Sequence, residues 1–375
     1  MIISTSRNEL VNNVAMLQNA VAKKGTISIL YNILIKTNKD SIILTATDLE
    51  IGIKIEMPAE IIEDGSITLP AKKFYEMIKE ITDDVINIKI AENKWANIST
   101  SSGIYKICGT DSEEYPSIPE PTNNIFSSIP CDIFSEAIDK ILFSIAQEND
   151  NQFNLVGVLF EIEKTDNSNI FKLVSSDGHR MSLFEREIDT DVNKIQINNI
   201  ILIPKKGIIE AKKLCEANDF IEMGFENKQV IFKSERYTIF VKLLTGEFPN
   251  YKNIFKSVNK TNCIYIDRLN LISSLKRINI FTEDIYNSVS FLFKKDKLIL
   301  SSQNIDIGSA NEELPITKDN DEELSLGFNG KYFIESVQVM NSDTIKIYIT
   351  NERSPCLIEG DDDQGFMSII MPMQI

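Results

Sequence analysis

The sequence predicts an α+β protein built from three tandem copies of one domain, in which two helices pack on antiparallel sheet. One observation is a short sequence motif that occurs in three versions, at Leu44–Asp48, Leu173–Asp177 and Leu300–Asn304. The starts of successive versions are 129 and 127 residues apart. A second is that the same order of helical and strand patterns recurs in each third of the chain. A third is a strand-proline-lysine junction, found at Pro70 and again at Pro204.

The first copy shows the pattern in full. Apolar residues recur at helical spacing over 7–24, and Ser6 or Thr5 can cap that helix. A second helix is predicted over 70–81, because proline suits a first helical turn. The acidic, proline-rich segment 111–121 is predicted to be a linker. Alternating segments predict strands at 28–35, 41–45, 49–57, 66–69, 85–90 and 94–108.

The second and third copies repeat this order of elements. Their helices are predicted over 131–146, 204–216, 267–279 and 330–340. Their strands are predicted at 155–162, 169–174, 181–184, 200–203, 220–225, 229–244, 288–293, 297–302, 325–328, 344–350, 356–359 and 366–375.

The middle copy differs from the others because its version of the motif continues into Gly178, His179 and Arg180. Asp177 and Gly178 lie between two apolar strands, and both residue types tolerate positive φ, which predicts a tight hairpin turn. His179 is the single histidine of the chain. A function carried by only one of three copies is therefore expected near this turn.

The length and composition indicate a globular protein of two or three domains. The chain has 375 residues, of which 43% are hydrophobic and 25% charged, and we place the domains at 1–127, 128–258 and 259–375. Neither a spanning apolar run nor a signal-peptide layout is present, so a cytoplasmic protein is expected. The five cysteines are scattered and odd in number, which favours reduced thiols.

Positive charge is concentrated on the predicted helices of an acidic chain. The net charge is −16, yet the six helices hold 15 Lys and Arg against 10 Asp and Glu, and the remainder holds 24 against 45. Helices on one face would then attract phosphate while the rest of the surface repels it. The alternative is that these lysines belong to ordinary solvated surfaces.

The usual signatures of enzymes are absent from the sequence. There is no phosphate-binding GxxxxGK[ST] loop, no GxGxxG after a strand, and no cysteine or histidine spacing typical of a metal site. A hydrolase that uses Asp177 and His179 is an alternative, but neither a nucleophile motif nor an oxyanion donor accompanies them. A monomeric β-rich scaffold without a DNA role is a second alternative. We expect no enzymatic activity, no metal and no cofactor.

These features resemble those of the bacterial beta sliding clamps, the processivity factors of the replicative DNA polymerase. The resemblance covers the whole chain and is carried by the threefold repeat and five motifs: Pro70–Phe74, Ile203–Gly207, Ser176–Met181, Phe248–Tyr251 and Met371–Ile375. It implies a head-to-tail homodimer that closes into a ring of six domains, with helices around the hole and a continuous outer layer of sheet. Such a ring encircles duplex DNA without reading its sequence and is cytoplasmic and nucleoid-associated.

The resemblance also implies three sets of functional residues. Those matching the family's DNA contacts are Lys24, Lys72, Lys73, Lys205 and Lys206. The positions matching its dimer contact are Tyr105, Ile107, Ile280 and Phe281. Those matching its pocket for short peptides of polymerases, the clamp loader and repair proteins are Leu155, Ser176, Gly178, His179, Arg180, Met181, Pro249, Ile254, Ile370, Met371, Pro372 and Met373.

The pocket has a physical rationale, since a glycine turn admits a ligand backbone and methionines give an adaptable apolar wall. The simpler interpretation is that His179 caps a turn and the tail is only a last strand. The sequence departs from the family at Gln374, Asn253 and Gln152, where basic residues are common, and in the longer acidic segment 147–151. We therefore expect partner motifs that keep a Leu or Phe anchor and differ at their polar positions.

Overall fold

The computed structural model describes residues 1–91, 93–118, 121, 125–147, 154–165, 168–189, 200–226, 228–282 and 286–374. These residues form two compact units. The first unit contains Met1–Cys131 and Ile209–Leu243, and the second contains the remaining described residues. Gln152 and most of the acidic segment 147–151 lie outside the described residues.

The described helices follow directly from strands in most cases. They are α1 (Arg7–Leu17), α2 (Ala71–Glu80), α3 (Cys131–Ile141), α4 (Lys205–Leu214), α5 (Tyr251–Lys256), α6 (Arg268–Ile278) and α7 (Gly330–Gln338).

The described strands pair only in antiparallel fashion. They are β1 (Ile2–Ser6), β2 (Asn32–Asn38), β3 (Ser41–Thr47), β4 (Ile51–Pro58), β5 (Glu60–Glu63), β6 (Ser66–Pro70), β7 (Val85–Ile90), β8 (Trp95–Ser99), β9 (Ile104–Cys108), β10 (Ser127–Pro130), β11 (Gly157–Lys164), β12 (Asn169–Ser176), β13 (Arg180–Ile188), β14 (Ile201–Pro204), β15 (Phe220–Glu226), β16 (Gln229–Lys233), β17 (Tyr237–Lys242), β18 (Cys263–Asp267), β19 (Ser288–Phe293), β20 (Lys297–Asn304), β21 (Gly308–Pro315), β22 (Thr317–Lys318), β23 (Leu324–Asn329), β24 (Thr344–Tyr348), β25 (Cys356–Gly360) and β26 (Phe366–Ile370).

Each unit contains two sheets among its described residues. The first unit has the orders β5-β1-β7-β8-β9 and β10-β15-β16-β17-β4-β3-β2-β6. The second unit has the orders β14-β11-β12-β13-β26-β25-β24-β18-β22 and β21-β20-β19-β23. Two pairings join distant parts of the chain: β4 with β17 through Gly52 and Phe240, and β13 with β26 through Arg180 and Ile370. Sheets thus run across the predicted domain boundaries.

The core of each unit is formed by the inward side of its strands and helices. In β7, for example, Ile86 and Ile88 are buried while the alternating residues Val85, Asn87 and Lys89 are exposed, as the two-residue period of a strand requires. In the second unit, Phe291 packs edge-on against Phe328 with ring centroids 5.2 Å apart. The ring centroid of Phe333 lies 4.8 Å from that of Phe291.

The threefold α+β plan is confirmed, but each copy begins with a strand that the sequence prediction missed. Strands β1, β10 and β18 run directly into the first helix of their copies. The side chain of Ser6, at the end of β1, accepts a hydrogen bond from the N–H of Glu9 and caps α1. These strands were missed because they are only four or five residues long and adjoin the helical pattern.

The first helix is shorter than predicted. It ends at Leu17, because the chain turns so that Ala20 and Val21 stay buried and the N–H of Ala22 donates to the carbonyl of Leu30. Lys24 therefore lies after α1 and not on it. The segment predicted as a strand from residue 28 begins as one 3₁₀ turn.

The described part of the predicted linker is tied to the first unit. The hydroxyl of buried Tyr115 accepts from the N–H of Thr47 at 3.1 Å and donates to the carbonyl of Asn32 at 3.2 Å. Burial raises the pKa of Tyr115 to about 12. Ile118 packs against Gly52, where a side chain larger than hydrogen would collide with it. This segment is therefore an ordered strap and not a free linker.

All five cysteines are described, and all are free thiols. In the described ranges, no helix is long and apolar enough to cross a membrane. The same ranges contain no group of three His, Cys, Asp or Glu side chains placed to hold a metal ion.

Candidate functional site

The turn between β12 and β13 is built by its own polar side chains. Asp177 Oδ1 accepts from the backbone N–H groups of His179 and Arg180, at 3.0 Å each. Ser176 Oγ accepts from the N–H of Gly178 at 3.1 Å and donates to the carbonyl of Arg180 at 2.8 Å. Of Asp177 and Gly178, only the glycine has positive φ, at 86°. The aspartate therefore acts as a turn-forming acceptor, whereas its sequence context had predicted a second positive-φ position.

Arg180 is the buried anchor of this turn, with only 7% of its side chain exposed. Its Nε donates to Asp177 Oδ2 at 2.9 Å, its Nη2 donates to the carbonyl of Phe143 at 2.6 Å, and its Nη1 pairs with Glu335. The guanidinium lies 4.2 Å from the ring centroid of Tyr332 and 5.1 Å from that of Phe143. Arg180 thus holds the turn against α7 and the 3₁₀ turn that follows α3, a supporting role that requires the planar arginine fork.

The carboxyl-terminal tail is hydrogen-bonded to the turn. Strand β26 pairs with β13 up to Ile370, opposite Arg180. Beyond it the N–H of Met371 donates to the carbonyl of His179 at 2.9 Å, and the N–H of Met373 donates to the carbonyl of Gly327 at 2.8 Å. The tail therefore crosses from the nine-stranded sheet to the four-stranded sheet of the second unit.

An apolar cluster in the second unit contains one residue of the predicted pocket and packs against another. Buried Met181 belongs to this cluster with Leu183 and Leu202, and Ile254 on α5 packs against it. Helix α5 was missed by the sequence prediction because it has only six residues; Asn250 caps it by accepting from the N–H of Asn253. The helix places Ile254 beside the hairpin.

The predicted pocket residues separate into a supporting and an exposed group. Leu155, Ser176, Arg180, Met181 and Ile370 are buried. Those that are exposed or half-buried are Gly178, His179, Pro249, Ile254, Met371, Pro372 and Met373. A ligand can touch only the exposed and half-buried residues directly, so the buried residues act by fixing the shape of the pocket.

The hydrolase alternative does not fit the geometry of the turn. Both carboxylate oxygens of Asp177 are occupied, one by two backbone N–H groups and the other by Arg180. The ring of His179 stacks on Tyr332, with centroids 6.4 Å apart. The two side chains are thus held in structural roles and do not form an acid–base pair.

The lysines predicted to contact DNA lie at helix starts or in loops. Lys72 and Lys73 occupy the first turn of α2 and are exposed, and Lys73 pairs with Glu76 at 2.9 Å. The hydrogen bond from Lys73 lowers the pKa of that carboxyl. Lys205 and Lys206 open α4 and are half-buried, and Lys205 lines a polar cavity with Asp177 and Glu335.

Of the residues predicted at the dimer contact, Tyr105 and Ile280 are exposed and Ile107 and Phe281 are half-buried. Tyr105 and Ile107 are on β9, which is the edge of the five-stranded sheet. Next to them Ile104 is 75% exposed. In the second unit, Ile280 is 65% exposed and Phe281 is half-buried.

Sequence reasoning missed the residues that hold Arg180 in place. Phe143, Tyr332 and Glu335 come from segments up to 155 residues away in the chain. An isolated arginine after a turn gives no sign of such partners. A signal was present only in α7, where Tyr332 and Glu335 are three residues apart and so share one face.

Comparisons with known proteins decide the family. Models of the DNA polymerase III beta subunit match the chain in three places: the N-terminal domain at residues 1–119, the central domain at 128–250 and the C-terminal domain at 257–374. The chain belongs to the DNA polymerase III beta subunit family. The beta sliding clamps are accordingly its relatives, and the resemblance read from its motifs is confirmed.

Individual relatives agree over nearly the whole length. The beta sliding clamp of Chlamydia pneumoniae is 25% identical over 370 residues, which cover 99% of this chain and 98% of that protein. That of Haemophilus influenzae is 26% identical over 376 residues, or 99% of each. A crystal structure of the DNA polymerase sliding clamp from Caulobacter crescentus covers 100% of both chains with a TM-score of 0.93 at 22% identity, a likeness of fold.

The function that follows from this membership is that of a DNA sliding clamp. Clamps of the DNA polymerase III beta subunit family are processivity factors without catalytic activity of their own, and they work with DNA and the replicative polymerase. The prediction that the chain is not an enzyme is confirmed by this membership.

Proposed function

We propose that two copies of the chain close head to tail around duplex DNA and bind partner proteins through a pocket at the turn and tail. The observation that carries this proposal is the match of all three family domains along one chain. We further propose the domain limits 1–127, 128–258 and 259–375. Each copy would then supply three of the six domains of a ring, and a head-to-tail contact closes after two copies.

The proposed peptide site consists of the exposed surface between the turn and the tail. His179 and Met371 are both exposed and are joined by a backbone hydrogen bond. Ile254 is half-buried and packs against the apolar cluster, and Pro249, also half-buried, lies just before α5. Methionine is unbranched and polarizable, so Met371 and Met373 suit a surface that several peptides share. Arg180 is a positioning residue for this site.

The polar specificity of the site is proposed to differ from that of its relatives. Gln374 is exposed at the end of the tail, and Asn253 is exposed on α5. Neither residue carries a charge, so an acidic residue in a partner peptide would find no cation at these two positions. We propose that polymerase, clamp-loader and repair partners present a Leu or Phe anchor with uncharged polar neighbours.

The proposed DNA contacts are few and of the phosphate type. Lys24, Lys72, Lys73, Lys205 and Lys206 provide positive charge on a chain whose net charge is −16. Contacts of this kind attract any duplex and carry no sequence information, as sliding requires. A clamp held this way would be recovered with the nucleoid in the cytoplasm.

The proposed dimer contact uses exposed sheet edges. In the described residues, β9 has a partner strand only on its β8 side, and β21 has one only on its β20 side. Exposed apolar edges favour pairing with another chain. We propose that the β9 edge, with Tyr105 and Ile107, meets the Ile280 and Phe281 region of the partner copy.

The proposal is tested by primer extension on a primed single-stranded circle with the replicative polymerase and clamp loader of the same organism. Adding the chain and ATP should lengthen the products made in one binding event, measured with excess heparin as a trap for released polymerase. Unchanged product lengths, with the chain shown by gel filtration to be retained on the DNA, would contradict the tethering function.

A further inference from the structure

A groove lined mainly by uncharged polar residues adjoins the proposed peptide site and is not accounted for by it. The groove lies in the second unit and has a volume of about 1220 Å³. His179 and Met373 line it, and both belong to the proposed peptide site. The rest of its wall comes mainly from the strands β19, β20 and β21.

The floor of this groove is a set of small polar side chains brought together by strand register. Ser290 on β19 lies opposite Ser301 on β20, and Ser301 lies opposite Asn311 on β21. On β19, the buried residues Val289 and Phe291 flank Ser290, so the serine points to the other face of the sheet. The three polar residues therefore form one row across three strands.

A second row continues the same chemistry. Gln303 lies opposite Ser309, and Ser288 precedes Ser290 by two residues on the same face. All of these residues line the groove. Each residue in the two rows thus presents a hydroxyl or an amide group to the groove.

The described lining of the groove carries no Asp, Glu, Lys or Arg side chain. Hydroxyl and amide groups both donate and accept hydrogen bonds, so they match the alternating N–H and C=O groups of an extended peptide. A charged segment would lose hydration here without gaining an opposite charge. The groove therefore suits an uncharged polar chain better than an acidic or basic one.

We propose that this groove binds the uncharged polar segment that flanks the apolar anchor of a partner peptide. The inference rests on the proposed peptide site, with which the groove is continuous at His179 and Met373. The N–H of Met373 is fixed on the carbonyl of Gly327, which holds the tail at the boundary between anchor and groove. The flanking segment lies extended and is bound chiefly through its backbone, so its sequence matters less than its lack of charge.

Fluorescence anisotropy on the full chain tests this proposal with three kinds of synthetic peptide. The first is a fluorescein-labelled hexapeptide with a Leu-Leu-Phe anchor. The second is the same peptide with the neutral flank Ser-Gln-Ser-Asn added, in separate versions, at one end or at the other. The third carries a flank of four glutamates in place of the neutral one. We expect the neutral flank at one end to tighten binding about tenfold, which one or two net hydrogen bonds supply. The glutamate flank should give no gain.

Two groove variants and one matched control locate the effect. Ser290→Glu and Ser301→Glu should remove the gain from the neutral flank and leave the affinity of the anchor peptide within about twofold, well under the tenfold that 1.4 kcal/mol represents. Ser325→Glu is the control, because Ser325 is exposed on β23 of the same sheet and does not line the groove. Thermal melting of each variant verifies that it is folded.

The outcomes separate the groove from the peptide site. If the neutral flank adds nothing on the unmodified chain, or if its gain survives both groove variants, the groove proposal is overturned while the peptide site stands. If the groove variants change the sedimentation coefficient and leave the flank gain intact, the groove is a contact between copies and the proposal is again overturned. Failure of the anchor peptide to bind the unmodified chain would overturn both proposals.

Discussion

The backbone N–H of Met371 donates a hydrogen bond of 2.9 Å to the carbonyl oxygen of His179. This bond joins the last residues of the chain to the turn that distinguishes the middle copy. A second bond, from Met373 to Gly327, holds the tail on the neighbouring sheet. The exposed surface around His179 therefore depends on the tail for its shape.

Deleting residues 371–375 should weaken peptide binding at least about tenfold, a loss of 1.4 kcal/mol or more, since both bonds and both methionines are removed. Strand β26 ends at Ile370 and keeps its pairing with β13, so the melting temperature should hardly change. Anisotropy with the anchor peptide and calorimetry measure the two effects. Deleting residues 374–375 alone preserves both bonds and is the control. Unchanged affinity after the larger deletion would refute the pocket assignment.

The two lysines in the first turn of α2, Lys72 and Lys73, should contribute unequally to DNA binding. Replacing Lys72 by Ala should lower the salt dependence of the affinity for a short duplex by about 0.9 in log–log slope, the value for one phosphate contact. Lys73→Ala should lower it less, because Lys73 already pairs with Glu76. Titrations at several salt concentrations measure the slopes. Lys295→Ala removes an exposed lysine outside the predicted set and is the control. Equal slopes for Lys72→Ala and Lys295→Ala would count against the DNA contact.

Ile280→Asp should shift the chain from dimer to monomer, because it puts a charge at an apolar position of the proposed interface. Ile62 offers a close match, since it is 64% exposed against 65% for Ile280 but lies on β5, outside the proposed contact. Ile62→Asp should leave the dimer intact. Sedimentation velocity at micromolar concentration distinguishes the two species. A dimer that persists in the Ile280 variant would exclude this residue from the interface.

A buried ion pair should make the second unit sensitive to acid. The side chain of Asp363 is fully buried, pairs with Lys140 on α3, and also accepts from the N–H groups of Asn341 and Ser342. Burial by itself would raise the pKa of Asp363, but these hydrogen bonds outweigh it and hold the pKa below its ordinary value. A depressed pKa stabilises the fold above the unfolded-state pKa of about 4, and this stabilisation is lost as the pH falls through the lower, folded-state value.

Asp363→Asn should therefore lower stability by about 3–5 kcal/mol near neutral pH, since it leaves Lys140 buried without its partner. The same variant should lose the part of the acid sensitivity that this carboxyl causes. Denaturant midpoints measured between pH 3 and pH 7 test both effects. Asp361→Asn is the control, because Asp361 is exposed and its pair with Lys346 is open to solvent, a kind of ion pair that contributes about 0–1 kcal/mol. If both variants behaved alike, the buried pair would not be a source of stability.

The elements with strong local signals could be predicted from the sequence, and those that depend on distant partners could not. Proline and lysine after a strand placed the starts of α2 and α4, and Asp177 with Gly178 placed the hairpin turn. The pairing of β4 with β17 joins strands about half the chain apart, and no local pattern encodes it. The burial of Arg180 follows from Glu335 and Phe143, so its positioning role required the fold.

The central claim is that the protein is linked to DNA topologically, and its retention on DNA tests this most directly. The chain would be loaded with the matched clamp loader and ATP on a nicked circle, and the same DNA would then be linearised at raised salt. We predict long residence on the circle and rapid loss from the linear form, because phosphate attraction alone treats both forms alike. Equal loss from both, with loading verified at low salt, would contradict the ring.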